Sequence, residues 1–487
     1  VSGETLILIA VFLPLAGALL IRLAGTSPNL REVVTLAVAV LLFATVAQLL
    51  PGVQAGERPA AMLQEILPGI AIAFEVEPLG MIFGLIASGL WIVTSLYSIG
   101  YMRGHHEKNQ TRFYVCFAIA LSSAMGIAFA ANMLTLFVFY EMLTLSTYPL
   151  VTHAGTDKAK RAGRTYLGVL LFTSIAFLLT ATVWTWNVAG TLDFTVGGIL
   201  AGKASPGVAA ALLLLFVFGT GKAALMPFHR WLPGAMVAPA PVSALLHAVA
   251  VVKAGVFSVL KIAVYIFGID FLAGVSTGRV LAYVAGATIL IGSIVAMRQD
   301  NLKRRLAYST ISQLSYIVLG AMLASPLAVV GGAMHIVTHA FGKITLFFCA
   351  GAIDVALHKK NISDMRGIGR AMPFTMGAFF VASLSIIGLP PLAGLWSKWY
   401  LALGTLQADE LALLGVLMAS SLLNVAYLLP IPIRAFFSKP ADGETITGIR
   451  EAPWPSVAAL VFTALGCIVL FFHAEPLYRL AHAILPQ

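Results

Sequence analysis

Long apolar runs separated by short polar breaks make up almost the whole chain. A helix needs roughly 20 apolar residues to cross a bilayer. Runs near that length fall at 4–24, 32–50, 78–101, 112–130, 132–152, 162–186, 208–229, 240–266, 279–297, 303–324, 327–357, 373–404, 411–437 and 455–474. The pattern predicts fourteen spans and an all-α polytopic membrane protein, because helices satisfy their own backbone in hydrocarbon. The first run has no basic leading segment and no small-residue cleavage site, so it reads as a span and not a signal peptide.

Composition narrows the class. The chain is 60% hydrophobic and 10% charged, where a soluble domain carries roughly a quarter charged residues. A net charge of +10 would suggest nucleic acid in a soluble protein. Here the positive residues sit in short loops and read as topology signals, so no nucleic-acid partner is expected. Loops after odd-numbered spans hold 21 of the 30 Lys and Arg residues, while the opposite loops hold Arg58, Lys203, Arg279 and Arg479. This sorting predicts a bacterial-type cytoplasmic membrane location with both termini outside. Cys116, Cys349 and Cys467 lie scattered in apolar runs and read as small core residues.

The remaining five basic residues, Lys222, Lys253, Lys261, Lys343 and Lys398, fall inside spans, as does Glu141. A lysine at the bilayer centre costs about 3 kcal/mol on insertion scales, so such residues mark functional sites by default. Lys222 lies in Phe216–Pro233, with Gly219 and Gly221 before it and Pro227 after it. These breakers predict an interrupted helix whose freed backbone groups need protein or water partners. Glu141, in mid-span, is expected to pair with Lys222 and so to switch that lysine between charged and neutral. The structural alternative is a protonated acid that only packs.

Other intramembrane groups extend the series. Lys253 follows His247 by six positions, which on a regular helix sets the two about 120° apart. A path through both requires local unwinding or a bridging water; otherwise His247 is a core histidine. Lys261, two turns further on, is read as snorkelling to the interface. His335, His339 and Lys343 recur every four residues and share one helical face. Two histidines at that spacing also suit zinc, but no neighbouring Cys, Asp or Glu in the span supplies the further ligands a site needs. A proton-hopping ladder fits better, since histidine titrates near neutral pH.

Lys398 follows Gly388, Pro390, Pro391 and Gly394, so a second interrupted span carries a second lysine. It lies five spans after the first, and that odd offset reverses its direction through the membrane. Paired breaks of this kind predict inverted repeats around a midplane site. The expected organisation is helices 1–3 in residues 1–110, a first repeat (spans 4–8) in 111–268, a second (spans 9–13) in 269–440, and a final helix in 441–487.

Several motifs then carry a resemblance: Phe139-Tyr-Glu141, Gly221-Lys222 with Pro227, His229, Trp231 and Pro233, Pro241-Val-Ser-Ala-Leu-Leu-His247, Lys303-Arg-Arg-Leu-Ala-Tyr308, and Gly388-Leu-Pro-Pro391. Residues 70–440 resemble the antiporter-like subunits shared by respiratory complex I, membrane-bound hydrogenases and Mrp-type cation/proton antiporters. The resemblance implies fourteen helices, two inverted five-helix repeats with broken helices 7 and 12, and a hydrated polar axis. It places a glutamate–lysine pair at Glu141 and Lys222, central groups at Lys253, His247, His335 and His339, and a terminal lysine at Lys398. Lys398 departs from the M type of complex I, which has glutamate there, and Leu395-Trp396 departs from a frequent Phe-x-Gly.

Chain length together with Lys343 and the Thr144-Leu-Ser146-Thr147 stretch favours the D type among the subunits of Mrp-type antiporters. The N type of complex I is the next choice. The expected function is proton translocation within a monovalent cation (Na+ or K+)/proton antiporter, along Glu141, Lys222, His247, Lys253, His335, His339, Lys343 and Lys398. The rivals are a redox-driven pump subunit of complex I or a membrane-bound hydrogenase, and a non-transporting structural subunit. Other membrane subunits, protons, Na+ or K+ and the bilayer are the expected partners. Neither catalytic residues, cofactor nor metal are expected, and the chain reads as a secondary transporter subunit, not an enzyme.

Overall fold

The computed structural model describes residues 2–440 and 448–486. Its helices are α1 (Gly3–Leu23), α2 (Pro28–Gln54), α3 (Pro78–Gly104), α4 (Gln110–Ala128), α5 (Met133–Val151) and α6 (Asp157–Ala189). They continue with α7 (Pro206–Gly219), α8 (Ala240–Phe267), α9 (Ser276–Met297), α10 (Leu302–Met322) and α11 (Pro326–Leu357). The second interrupted span comprises α12 (Pro373–Ile387) and α13 (Gly394–Gln407), followed by α14 (Leu411–Phe437), α15 (Trp454–Phe472) and a short α16 (Ala474–His482). Each of the fourteen expected spans thus has its helix or helix pair. Eleven helices among the described residues are long and apolar enough to cross a membrane, which makes the chain a multi-pass membrane protein. The domain boundary expected at 440/441 adjoins residues 441–447, which lie outside the described set.

Two features escaped the hydropathy pattern. β1 (Ala60–Leu67) and β2 (Ile70–Glu75) form an antiparallel hairpin between α2 and α3, with Ala60 opposite Glu75. α16 lies beyond the last expected span.

α10 differs from its neighbours because its first turn holds Lys303, Arg304 and Arg305. Its next turns bury Ser309, Thr310, Ser312, Gln313 and Ser315. A helix this polar survives in a membrane only behind other helices. It faces α9 and α11, and Ser293 Oγ of α9 stands 3.0 Å from Ser312 Oγ. The core therefore contains a polar wall.

Loop placement follows the parity of the spans. His105, Glu107, Thr156, Val237, Asn301 and Lys360, from the turns after spans 3, 5, 7, 9 and 11, line one cavity of about 530 Å³. On the opposite face Phe74 bridges to Ala130, Asn132 bridges to Asp193, and Ile199 N donates to Ile266 O. Odd and even loops occupy different faces, as alternating spans require.

Both expected breaks are present, and each satisfies its freed groups locally. After α7 the chain leaves the helix at Thr220 (ψ +57), makes one short turn at Gly221–Ala223, and passes Ala224 at φ +55. Trp231 Nε1 donates to Gly221 O, and Tyr140 Oη accepts from Lys222 N. At the second break Gly388 adopts φ +94, and its N–H and that of Leu389 both turn back to Leu384 O. This is the glycine-terminated helix end expected where a left-handed residue is needed.

Close backbone approach also fixes the second break. A Cβ on Gly394 would lie 1.8 Å from Ser385 O, a main-chain atom that cannot turn aside. A Cβ on Gly377, in α12, would meet nothing. Gly394→Ala is expected to destabilise the protein by about 1–3 kcal/mol through overpacking. Gly377→Ala should be neutral or slightly stabilising, as alanine is the better helix former. Thermal unfolding of the two variants in detergent measures the difference.

Candidate functional site

The breaks bring intramembrane groups onto a band between α5, α8, α10, α11 and α13. Lys222 is fully buried, and its Nζ donates to Tyr140 O at 2.8 Å and Thr144 Oγ1 at 2.6 Å. The ammonium also sits 3.2 Å from the centre of the Tyr140 ring, a cation–π contact. Lys222 is thus held by α5, the helix of Glu141, but through neutral oxygens. No ion pair joins Glu141 to Lys222 among the described residues. Both Glu141 carboxylate oxygens are buried and have no hydrogen-bond partner. The expected direct pairing is therefore corrected: the tyrosine carbonyl and Thr144 hydroxyl, one residue before and three after Glu141, occupy the lysine's donors.

Next along the band, Gly255 presses α8 against the break. A Cβ there would lie 2.3 Å from Lys222 C and Ala223 N. Lys253, two residues earlier and fully buried, reaches α11, with its Nζ 2.7 Å from His339 Nδ1. An ammonium has no acceptor and an imidazolium only donors. This hydrogen bond consequently requires that one of the two groups be neutral.

His247 stands in a π-helical turn, Leu245–Val249, after which Ala250 departs from helical geometry (φ −124, ψ −65). That is the local unwinding a shared path demands, since an extra residue per turn rotates one side of the helix against the other. His247 faces α11 like Lys253, its ring 4.5 Å from that of Phe347. Both its nitrogens are buried and unpartnered.

α11 presents its histidines as expected, but three groups turn to three neighbours. His339 meets Lys253, and His335 Nδ1 lies 2.8 Å from Ser397 Oγ of α13. Lys343 Nζ donates to Ser309 Oγ at 2.6 Å, and Tyr427 Oη donates to the same hydroxyl at 2.8 Å. The His335 and His339 rings are 5.7 Å apart, and their Nε2 atoms have no partner. Lys398, partly buried, donates to Ile387 O, which ends α12, and to Ser421 Oγ. It thereby caps the first half of its own broken span. Tyr316 joins the end of the line: its ring stacks 5.4 Å from that of His335, and Lys398 Nζ lies 5.1 Å from its centre.

Lys261 does not snorkel. It is fully buried, forms a 3.0 Å ion pair with Glu77 Oε1, and donates to Ala130 O at 2.9 Å. Glu77 also caps α3 by accepting from Leu79 N and Gly80 N, and it accepts from Tyr265 Oη. With both aliphatic stem and charge enclosed by α8, α3 and the loop after α4, the lysine has no route to an interface.

Comparison with known proteins agrees with this architecture. Residues 130–424 match the family described as NADH:quinone oxidoreductase/Mrp antiporter, TM. The chain belongs to this family. NADH-quinone oxidoreductase subunit N of Desulforudis audaxviator is 33% identical over 479 residues, covering 96% of this chain and 94% of that one. NAD(P)H-quinone oxidoreductase subunit 5, organellar chromatophore 1, of Paulinella chromatophora is 33% identical over 379 residues. That match covers 74% of this chain and spans only 55% of the longer relative. In fold, a chain of the Mrp complex from Dietzia sp. DQ12-45-1b superposes with a TM-score of 0.87 at 22% identity, covering 99% of this chain and 96% of that one. The chain is accordingly an antiporter-like subunit of the kind found in multisubunit membrane complexes. The comparisons reach this family without singling out the D type.

In this antiporter-like subunit the groups that sequence reading missed are the neutral partners Tyr140, Ser309, Tyr316, Ser397, Ser421 and Tyr427. Hydroxyl residues are common throughout the spans, so apart from Tyr140, which sits in the Phe139-Tyr-Glu141 motif, nothing in the sequence marks them. Thr144 lay within a stretch noted for a different reason. Glu77 follows the unforeseen hairpin and resembled any loop carboxylate.

The Glu77–Lys261 pair supplies a stability test. Lys261→Met leaves a buried, unpaired carboxylate and is expected to cost about 3–5 kcal/mol, whereas adding Glu77→Gln should restore part of the loss. Unfolding of the single and double variants in detergent gives the coupling. Additive losses would contradict a direct pair.

Proposed function

We propose that this antiporter-like subunit carries protons across a bacterial-type cytoplasmic membrane, both termini outside, along Glu141, Lys222, His247, Lys253, His335, His339, Lys343 and Lys398. The observation that carries the reading is the 2.7 Å contact between Lys253 Nζ and His339 Nδ1. At most one of the two groups can be charged there, so a change of charge at one bears directly on the other. From His339 the line continues to His335 and then, through Ser397 and the Tyr316 face, to Lys398. Toward the other end, Gly255 sets Lys253 beside the Lys222 break. Glu141, one residue from the carbonyl that holds Lys222, is the group whose charge would draw that lysine away from its neutral partners. The two breaks fit inverted repeats over 111–268 and 269–440.

The end-to-end similarity to an N-type relative supports a place in a redox-driven complex, with electron transfer elsewhere in the assembly driving this proton-carrying arm. A second reading is a D-type component of a Na+ or K+/proton antiporter. It rests on the full-length superposition on a chain of an Mrp complex. A purely structural subunit fits less well, since bracing needs no buried lysine–histidine contact in which at most one group can be charged.

Lys253→Ala and Lys222→Ala are each expected to lower proton flux in vesicles about a hundredfold or more, the scale seen when a proton-transfer group is removed. His339→Gln keeps a polar side chain but cannot be protonated, and should lose flux as well. Assembly of the complex, followed on native gels, should survive all three changes. Unaltered flux in Lys253→Ala would sink the proposal. Flux that follows quinone reduction supports the redox reading, and flux that follows a Na+ or K+ gradient supports the antiporter.

A further inference from the structure

The cavity of about 530 Å³ beneath the odd-numbered loops is lined by His105 and Asp354, which the proton line does not use, and His358 stands beside them. His105 follows the end of α3, Asp354 lies in the last turn of α11, and His358 caps that helix. Each offers one ligand atom, and the three atoms lie within 4.8 Å of one another. His105 Nε2 is 3.8 Å from Asp354 Oδ2. More telling, His105 Nε2 and Asp354 Oδ1 are both buried with no hydrogen-bond partner. Buried polar atoms are normally satisfied, and an orphan pair of this kind calls for an explanation such as an ion.

We propose that His105, Asp354 and His358 bind a divalent transition-metal ion of the zinc class, which inhibits the protein by closing this cavity. Two imidazoles and a carboxylate are a donor set suited to zinc and unsuited to magnesium or calcium. Tetrahedral ligands about 2.0–2.1 Å from zinc stand roughly 3.4 Å apart, so from a spread of 4.8 Å the trio needs to close by at most about 1.4 Å. His358 is exposed and can supply that motion. The His105 ring is steadied by stacking on Tyr101 at 5.3 Å. Its Nδ1 lies 3.8 Å from Glu107 Oε1, and on binding that gap would shorten to the hydrogen bond of a carboxylate–histidine–metal order.

Lys360 Nζ, 3.7 Å from Asp354 Oδ2 and largely exposed, is the group the metal displaces. Water completes the fourth position. A bound ion ties the end of α3 to the end of α11, the helix of His335, His339 and Lys343, and sets a double positive charge near Lys303, which lines the same cavity. The binding site stands on the geometry alone, whereas inhibition rests on the proton-translocation reading.

The test uses the untagged protein in its complex. Zinc retained after equilibrium dialysis is measured by elemental mass spectrometry, and proton flux is measured with and without zinc. Wild type is expected to hold a zinc ion that magnesium does not displace, and to lose flux as that site fills. His105→Ala should weaken binding by more than about 100-fold, and Glu107→Gln, acting through His105, by about 10–100-fold. His358→Asn removes an exposed ligand while suiting the left-handed backbone there (φ +54), which guards against misfolding. It should also relieve inhibition relative to its own zinc-free flux. Equal zinc affinity in wild type, His105→Ala and His358→Asn would overturn the site. Zinc held at the site with flux unchanged would overturn inhibition. Absence of zinc-free flux in wild type counts against the proton path, and the dialysis result still decides the site.

Discussion

An ammonium group inside hydrocarbon must have its donors met, and this requirement organises the interior. Five intramembrane lysines meet it in two ways. Lys261 takes a carboxylate, Glu77. Lys222, Lys253, Lys343 and Lys398 take carbonyls, hydroxyls or an imidazole. The difference matters because removing one charge from a buried ion pair strands the other, at a cost of several kcal/mol. A lysine on neutral partners strands nothing when its proton leaves. The four suited to changing charge state are the four on the expected path, and the fifth is a brace.

The helix breaks follow from the same requirement. An unbroken α7 would direct its carbonyls along its own axis and leave Lys222 to find partners across a flat helix face. The short turn at Gly221–Ala223 instead feeds the lysine onto α5, while Trp231 and Tyr140 satisfy the backbone it exposes. At the second break the lysine itself satisfies the exposed carbonyl, Ile387 O. The two breaks are alike in position and unlike in dependence. Lys222 is oriented by a neighbouring helix, and Lys398 chiefly by its own span.

Hydropathy and the placement of glycine and proline made the spans and both breaks legible, because lipid leaves few alternatives to a helix. Intramembrane lysines and histidines stood out for the same reason. What remained hidden was partnership. Glu141 was matched to Lys222 by charge, but side-chain direction and the nearer oxygens of Tyr140 and Thr144 decided otherwise. Lys261 looked able to reach water because its depth was counted along the helix. The hairpin that leads into Glu77 was invisible to a search for apolar runs. The π-turn at His247 was anticipated only as a condition, since six residues on a regular helix separate it from Lys253.

Glu141 is the one acid on the proposed path, and its buried oxygens have no partner, which distinguishes it from every lysine around it. An ionised carboxylate left so would be strongly disfavoured. On the proposed path it would gain its partner only if the Lys222 ammonium turned from Tyr140 O and Thr144 Oγ1 toward it. Both of those oxygens lie on Glu141's own helix, one residue before it and three after it. Neutral oxygens release a cation more readily than a carboxylate does. A direct Glu141–Lys222 bond in the resting structure would have been the less useful arrangement, because it would begin from the state that is hardest to leave.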